Sequence, residues 1–188
     1  YLYSMDGKKK IQLHKTNYDI AEINGVDENK KLVYYTLAYP TALDRNLFVT
    51  GFDGLKTTQL TTGRGWHKIE INDSFTRFYD YYSDINTPKT TTLFNIVFSK
   101  KEITAVKDKV VGENAALKTL LNNYDMGTVS IIQIPNSKGD TLNGWMLKPS
   151  NFDANQKYPV LFCNYGGPGS QQVTNRYGAV SYWHRLLA

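Results

Sequence analysis

The first half of the chain alternates short apolar, β-branched and aromatic runs with polar breaks. One set of runs covers Ile20–Ile23, Leu32–Leu37, Asn46–Phe52 and Thr57–Leu60. The next covers His67–Ile71, Thr76–Tyr82, Thr91–Phe98 and Glu102–Ala105. Runs of this length, bounded by Asn, Asp, Gly and Ser, predict strands rather than helices. The pattern also repeats. Asn46-Leu-Phe-Val-Thr-Gly-Phe-Asp-Gly54 echoes Tyr1-Leu-Tyr-Ser-Met-Asp-Gly7, and the two Asp-Gly pairs lie 47 positions apart. Tyr34-Tyr35 and Tyr81-Tyr82 keep that offset, as do Gln12-Leu13 and Gln59-Leu60, while Ile23-Asn24 and Ile71-Asn72 are 48 apart. Thr92-Leu93-Phe94 opens a third copy 46 positions after Leu47. Asp-Gly supplies the positive φ of a tight hairpin. Asn24-Gly-Val-Asp-Glu-Asn29 and Asn72-Asp-Ser74 read as polar breaks between strands. Four antiparallel strands recurring every ~40–50 residues is the pattern of β-propeller blades. A β-sandwich with a chance echo is the competing architecture, and the coincident offsets favour the propeller. Residues 1–111 are therefore read as blades, too few to close a ring.

The texture changes near residue 112. Glu113–Asn123 predicts a helix, with Ala116, Leu117, Leu120 and Leu121 on one apolar stripe and Glu113 in the first turn. Strands follow at Val129–Ile134 and Leu142–Leu147, joined by the turn-rich Pro135-Asn-Ser-Lys-Gly-Asp140. Tyr158–Asn164 differs in kind. Val160-Leu-Phe-Cys163 is continuously apolar, which predicts a strand covered on both faces of a mostly parallel sheet. It runs into Gly166-Gly167-Pro168-Gly169-Ser170, and a second helix begins near Ser181. The expected fold is thus mixed, with propeller blades followed by an α/β layer over residues 112–188. Tyr1 falls within a strand pattern and Ala188 within a helical one, so the chain reads as a piece of something larger.

Composition narrows the function. The 188 residues are 41% hydrophobic and 21% charged, which excludes a wholly disordered chain. The net charge of +5 comes from scattered Lys and Arg. The densest runs, Lys8-Lys9-Lys10 and Lys30-Lys31, sit beside turn residues and read as solvated hairpin tips, so no nucleic-acid partner is expected. A single cysteine, Cys163, excludes an internal disulfide and a multi-cysteine metal site. No apolar run approaches the roughly 18 residues of a membrane span.

Candidate chemistry is sparse. Gly-x-Ser-x-Gly, the strained turn that presents a hydrolase serine, is absent, and Ser170 lacks that context. His14, His67 and His184 are far apart and form no metal pair at helical spacing, so no metal or cofactor is expected. His67, beside Trp66, reads as a packing or hydrogen-bonding residue, and Cys163 as an inert buried thiol. The Gly-rich loop lacks the Lys-Ser/Thr of a phosphate loop, and Pro168 removes one donor. Tyr165 remains, where the apolar strand meets this loop. Sites in open α/β sheets gather at the carboxyl ends of strands. A phenol is protonated at neutral pH and can donate to a developing oxyanion. A core tyrosine capping a loop is the other reading.

Leu142-Asn-Gly-Trp-Met-Leu-Lys-Pro-Ser-Asn-Phe152 and Lys157-Tyr-Pro-Val-Leu-Phe-Cys-Asn-Tyr-Gly-Gly-Pro-Gly-Ser-Gln171 resemble the start of the hydrolase domain of the dipeptidyl peptidase IV branch of the prolyl oligopeptidase family of serine peptidases. Gly65-Trp-His67 and Asp84-Ile-Asn-Thr-Pro88 resemble its last propeller blade, especially in bacterial members. The acylaminoacyl peptidase branch typically has His where Tyr165 stands. The resemblance implies that residues 1–111 are the last blades of a β-propeller and residues 112–188 the start of an incomplete α/β-hydrolase domain. It implies a serine exopeptidase that removes N-terminal X-Pro, or less well X-Ala, dipeptides, and a homodimeric, extracytoplasmic parent. By carry-over Tyr165 donates to the oxyanion and Gln171 lies near the leaving group. The family's Ser, Asp and His match no residue of this chain, which is expected to be inactive alone. A non-catalytic propeller-derived binding module, or a relative without its triad, is the alternative.

Overall fold

The computed structural model describes residues 1–167 and 169–188; Pro168 lies outside the described residues. Chain order gives β1 (Leu2–Tyr3), β2 (Lys10–Ile11), β3 (Ile20–Asp27), β4 (Leu32–Leu37), β5 (Asn46–Gly51) and β6 (Thr57–Gln59). Then come β7 (Trp66–Ile71), β8 (Arg77–Ser83), β9 (Thr90–Phe98) and β10 (Ile103–Gly112). The remainder is helix α1 (Ala115–Leu121), β11 (Thr128–Pro135), β12 (Thr141–Lys148) and helix α2 (Tyr182–Leu187). β3 to β6 and β7 to β10 are successive four-stranded antiparallel meanders, each strand pairing with its neighbour in sequence. β1–β2 and β11–β12 are separate hairpins.

The two meanders pack face to face. Strand side chains alternate between faces, so Tyr34, Leu47 and Val49, with Leu60 beyond β6, point toward the second sheet and meet Ile69, Phe78 and Ile96. Phe75 stacks on Tyr34 at 5.4 Å and Phe78 on Phe94 at 5.1 Å. The other face of the first sheet carries Val33, Tyr35, Leu37 and Phe48, covered by Leu13, Tyr39 and Phe52. Burial of each large apolar side chain contributes about 1.5–3 kcal/mol. A third cluster, Ile85, Val129 and Val180, fastens the β11–β12 hairpin and the approach to α2 onto the end of the second sheet.

The 47-residue echo has a geometric counterpart. In the β1–β2 turn the Gly7 N–H donates to the Ser4 carbonyl at 2.9 Å, and the Lys8 N–H donates to the Asp6 carboxylate at 3.1 Å. In the β5–β6 turn the Gly54 N–H donates to the Gly51 carbonyl at 3.0 Å, and the Leu55 N–H donates to Asp53 at 3.0 Å. Gly7 and Gly54 have φ of 72° and 69°. The β1–β2 hairpin therefore corresponds to the second half of a blade. The two turns differ in their surroundings: a Cβ on Gly7 would meet open space, whereas one on Gly54 would run into the Gln12 carbonyl oxygen. Gly54→Ala is expected to cost about 1–3 kcal/mol and Gly7→Ala distinctly less, because both incur the positive-φ strain but only one a backbone clash. Denaturant midpoints of the two variants test this.

Four expectations are corrected. The break predicted over Asn24–Asn29 begins only at Glu28: Asn24 to Asp27 belong to β3, which bulges there. Gly25 lies so close to Phe75 that a Cβ would stand 2.6 Å from its ring, so the glycine admits that ring rather than ending the strand. Helix α1 starts at Ala115, leaving Glu113 outside its first turn, because Asn114 has a left-handed φ of 51°. The strand predicted at Tyr158–Asn164 is extended but unpaired, and Val160, Leu161 and Phe162 are exposed. No described residue supplies a neighbouring strand, and a strand without a ladder partner has nothing to bury it. The described residues of 112–188 accordingly show no parallel α/β sheet. Cys163, expected to be buried, is exposed for the same reason.

Candidate functional site

Tyr165 sits between the unpaired segment and the Gly-rich turn. Its side chain is 54% exposed, so the phenol faces solvent rather than a core. The ring folds back over its own loop. A Cβ on Gly167 would lie 3.2 Å from both Cε1 and the hydroxyl oxygen, which explains a glycine there: it lets an aromatic ring rest on backbone.

Beyond the turn, residues 171–175 are lashed to the 41–45 loop between β4 and β5. Gln171 uses both ends of its amide: Oε1 accepts from Arg45 Nη2 at 2.9 Å, and Nε2 donates to the Ala42 and Val173 carbonyls at 2.9 and 3.0 Å. Gln171, expected near a leaving group, is thus placed against the first sheet's loop. Arg45 is itself pinned, with Nη1 donating to the Ala42 and Asp44 carbonyls at 2.9 and 2.7 Å. Its guanidinium lies 4.4 Å from the centroid of Trp66, and that of Arg176 lies 5.2 Å from the same ring.

Deeper in, Asn175 is buried and joins three elements. Its N–H donates to the Leu43 carbonyl at 2.9 Å, its Nδ2 to Asp44 Oδ1 at 2.8 Å, and its Oδ1 accepts from the Ile85 N–H at 3.1 Å. Asp44, fully buried, also accepts from the Gly65 N–H and Thr41 Oγ1 at 2.8 and 2.6 Å and pairs with Arg64 at 2.8 Å. Burial alone would raise the Asp44 pKa. Hydrogen bonds from Thr41, Asn175, Gly65 and Arg64 outweigh it and hold the value below the ordinary 3.8. A depressed folded-state pKa contributes stability that is present above 3.8 and lost as pH falls through the lower folded value. Residues 170–180 are therefore expected to stay docked at neutral pH and to loosen only in acid, below about pH 4. Hydrogen exchange at the Asn175 amide between pH 6 and pH 3 should show that loosening, and Asp44→Asn should remove the pH dependence.

The other candidates are structural or solitary. His67 Nδ1 pairs with Asp80 Oδ2 at 2.8 Å in the interior, its ring 4.9 Å from Tyr82, as expected of a packing residue. His14 shares a 2.8 Å hydrogen bond with the Tyr35 hydroxyl, and burial lowers its pKa. Cys163 Sγ lies 3.6 Å from His184 Nε2, and His184 Nδ1 lies 2.8 Å from Ser181 Oγ, which caps α2. Ser170 accepts from Gln172 at 2.7 Å. Among the described residues no group of three His, Cys, Asp or Glu side chains is placed to hold a metal ion, and no helix is long and apolar enough to cross a membrane. Asp44, Arg45 and Asn175 carried no signal in the sequence beyond the turn-like Thr41-Ala-Leu-Asp44.

The paired meanders have the form of propeller blades. Comparison with known proteins takes this further. Residues 1–89 match the family model of the dipeptidyl peptidase IV (DPP IV) N-terminal region. Over 184 residues, 97% of this chain, the sequence is 31% identical to dipeptidyl peptidase 4 of Trichophyton rubrum, and it is 30% identical to a probable dipeptidyl peptidase 4 of Arthroderma benhamiae. The chain spans 23% of the length of these relatives. A crystal structure of Porphyromonas gingivalis dipeptidyl peptidase 4 superposes on all of this chain with a TM-score of 0.85 at 27% identity, over 26% of that protein. Together these matches support the dipeptidyl peptidase IV family.

Proposed function

We propose that the full-length protein is a serine dipeptidyl peptidase that releases N-terminal X-Pro, and less readily X-Ala, dipeptides from peptides. In this reading residues 1–111 are the last propeller blades and residues 112–188 open an α/β-hydrolase domain, whose exposed apolar segment 160–163 is covered by the rest of that domain. Tyr165 is the oxyanion donor. A serine from elsewhere in the protein attacks the scissile carbonyl, a histidine takes its proton and returns it to the leaving amine, and an aspartate orients the histidine. The Tyr165 hydroxyl donates to the oxygen that becomes negative. The parent is a homodimer outside the cytoplasm. The observation that carries the reading is a solvent-facing phenol on a glycine turn, within the stretch that aligns with dipeptidyl peptidases.

Chromogenic X-Pro, X-Ala, X-Gly and N-acetyl-X-Pro substrates test the proposal on the full-length protein. Expected are cleavage in the order Pro, Ala, Gly, no cleavage of the N-acetylated substrate, and inhibition by a fluorophosphonate that labels active serines. The 188-residue chain alone should release nothing. Cleavage that ignores the N-terminal amine, or none at all, would overturn it.

A further inference from the structure

We propose that Arg45 and Gln171 form a strap through which a propeller loop positions Tyr165, making Arg45 a positioning residue of the peptidase reaction. This rests on Tyr165 being the oxyanion donor. An oxyanion donor must be held to within about 0.5 Å of its working position, yet on one side Tyr165 adjoins backbone that offers little restraint. On its N-terminal side, residues 158–164 are the extended apolar segment that, in the proposed reading, the rest of the hydrolase domain covers. On its C-terminal side lie Gly166, Gly167 and Gly169, residues with the widest backbone freedom. The first side chain beyond the turn tied to another element is Gln171, whose amide is held from both ends by Arg45 and the Ala42 carbonyl.

Arg45 suits this task. Two carbonyls fix Nη1, the Trp66 ring lies against the guanidinium, and the other nitrogen is left to reach Gln171. Lysine presents a single nitrogen and cannot reproduce the fork. The strap is also separable from the stability of the fold. The buried Asp44–Asn175 contacts hold the segment down, whereas the Arg45–Gln171 bond is exposed. Exposed polar pairs contribute little to folding, so breaking this one should show in the position of the loop rather than in the melting temperature.

The test is a double-mutant cycle in the full-length protein, with kcat and KM on a Gly-Pro reporter and Tm for each variant. Arg45→Met and Gln171→Ala should each lower kcat by roughly 10- to 100-fold, since a misplacement of about 1 Å can cost about 10²-fold, with KM and Tm little changed. Arg45→Lys should fall between. In a Tyr165→Phe background, where there is no hydroxyl to position, Arg45→Met should have no further effect on kcat. If Tyr165→Phe lowers kcat but Arg45→Met and Gln171→Ala do not, the strap has no positioning role. If Arg45→Met keeps its full effect in the Phe background, it acts elsewhere and the proposal fails. Unchanged kcat in Tyr165→Phe alone would overturn the oxyanion reading instead. Should Arg45→Met fail to fold, Gln171→Ala carries the same cycle.

Discussion

Tyr165→Phe in the full-length protein is expected to lower kcat on a Gly-Pro reporter by roughly 10²–10³, the cost of removing one oxyanion-hole donor in a serine protease. KM should stay within a few-fold, because the lost hydrogen bond strengthens only as charge develops on the carbonyl oxygen. Stability should barely move. The side chain is 54% exposed, and phenylalanine keeps the ring that rests on Gly167. Loss of kcat without loss of Tm separates a group that meets the transition state from one that holds the loop together. Equal losses in both would return Tyr165 to a structural role.

Asp44→Ala is the second large effect, and it falls on folding. Alanine would leave two buried donors, the Gly65 N–H and Asn175 Nδ2, without acceptors, and would strip Arg64 and Thr41 of their partner. Each unsatisfied buried group costs ~1–3 kcal/mol, and removing one member of a buried charged network typically costs about 3–5 kcal/mol. A loss in that range is expected in chemical denaturation. Because the same carboxylate docks residues 170–180, proteolysis within that segment should accelerate as well. Asp44→Asn keeps one oxygen acceptor but turns an N–H₂ toward a donor, so it should lie between. A cost below 1 kcal/mol for Asp44→Ala would mean that the segment is held by other contacts.

Much of the sheet architecture was legible because its signals are local. β-Branched and aromatic runs such as Leu32–Leu37 and Asp-Gly pairs at a constant offset need no distant partner to be recognised, and the turns at Gly7 and Gly54 share hydrogen bonds as well as residues. Errors arose where a neighbour decides the outcome. Gly25 resembles a break until Phe75 is seen against it. Val160–Cys163 has the apolarity of a covered strand, but apolarity does not provide a ladder partner. Helix α1 holds the whole predicted apolar stripe but leaves out Glu113, because Asn114 turns left-handed before it. The candidate site divides in the same way. Tyr165 stood out by its position between an apolar run and a glycine turn. The contacts of Asp44 with Asn175 and of Arg45 with Gln171 join residues more than 120 positions apart, and no spacing rule points from one to the other.

The most direct measurement is a crystal structure of the full-length protein with a dipeptide boronic acid ending in boroproline, whose tetrahedral boronate mimics the oxyanion intermediate. The account predicts a bond from boron to the catalytic serine and the Tyr165 hydroxyl about 2.7–3.1 Å from a boronate oxygen. A boronate oxygen held only by other donors, with Tyr165 turned away from the adduct, would contradict it.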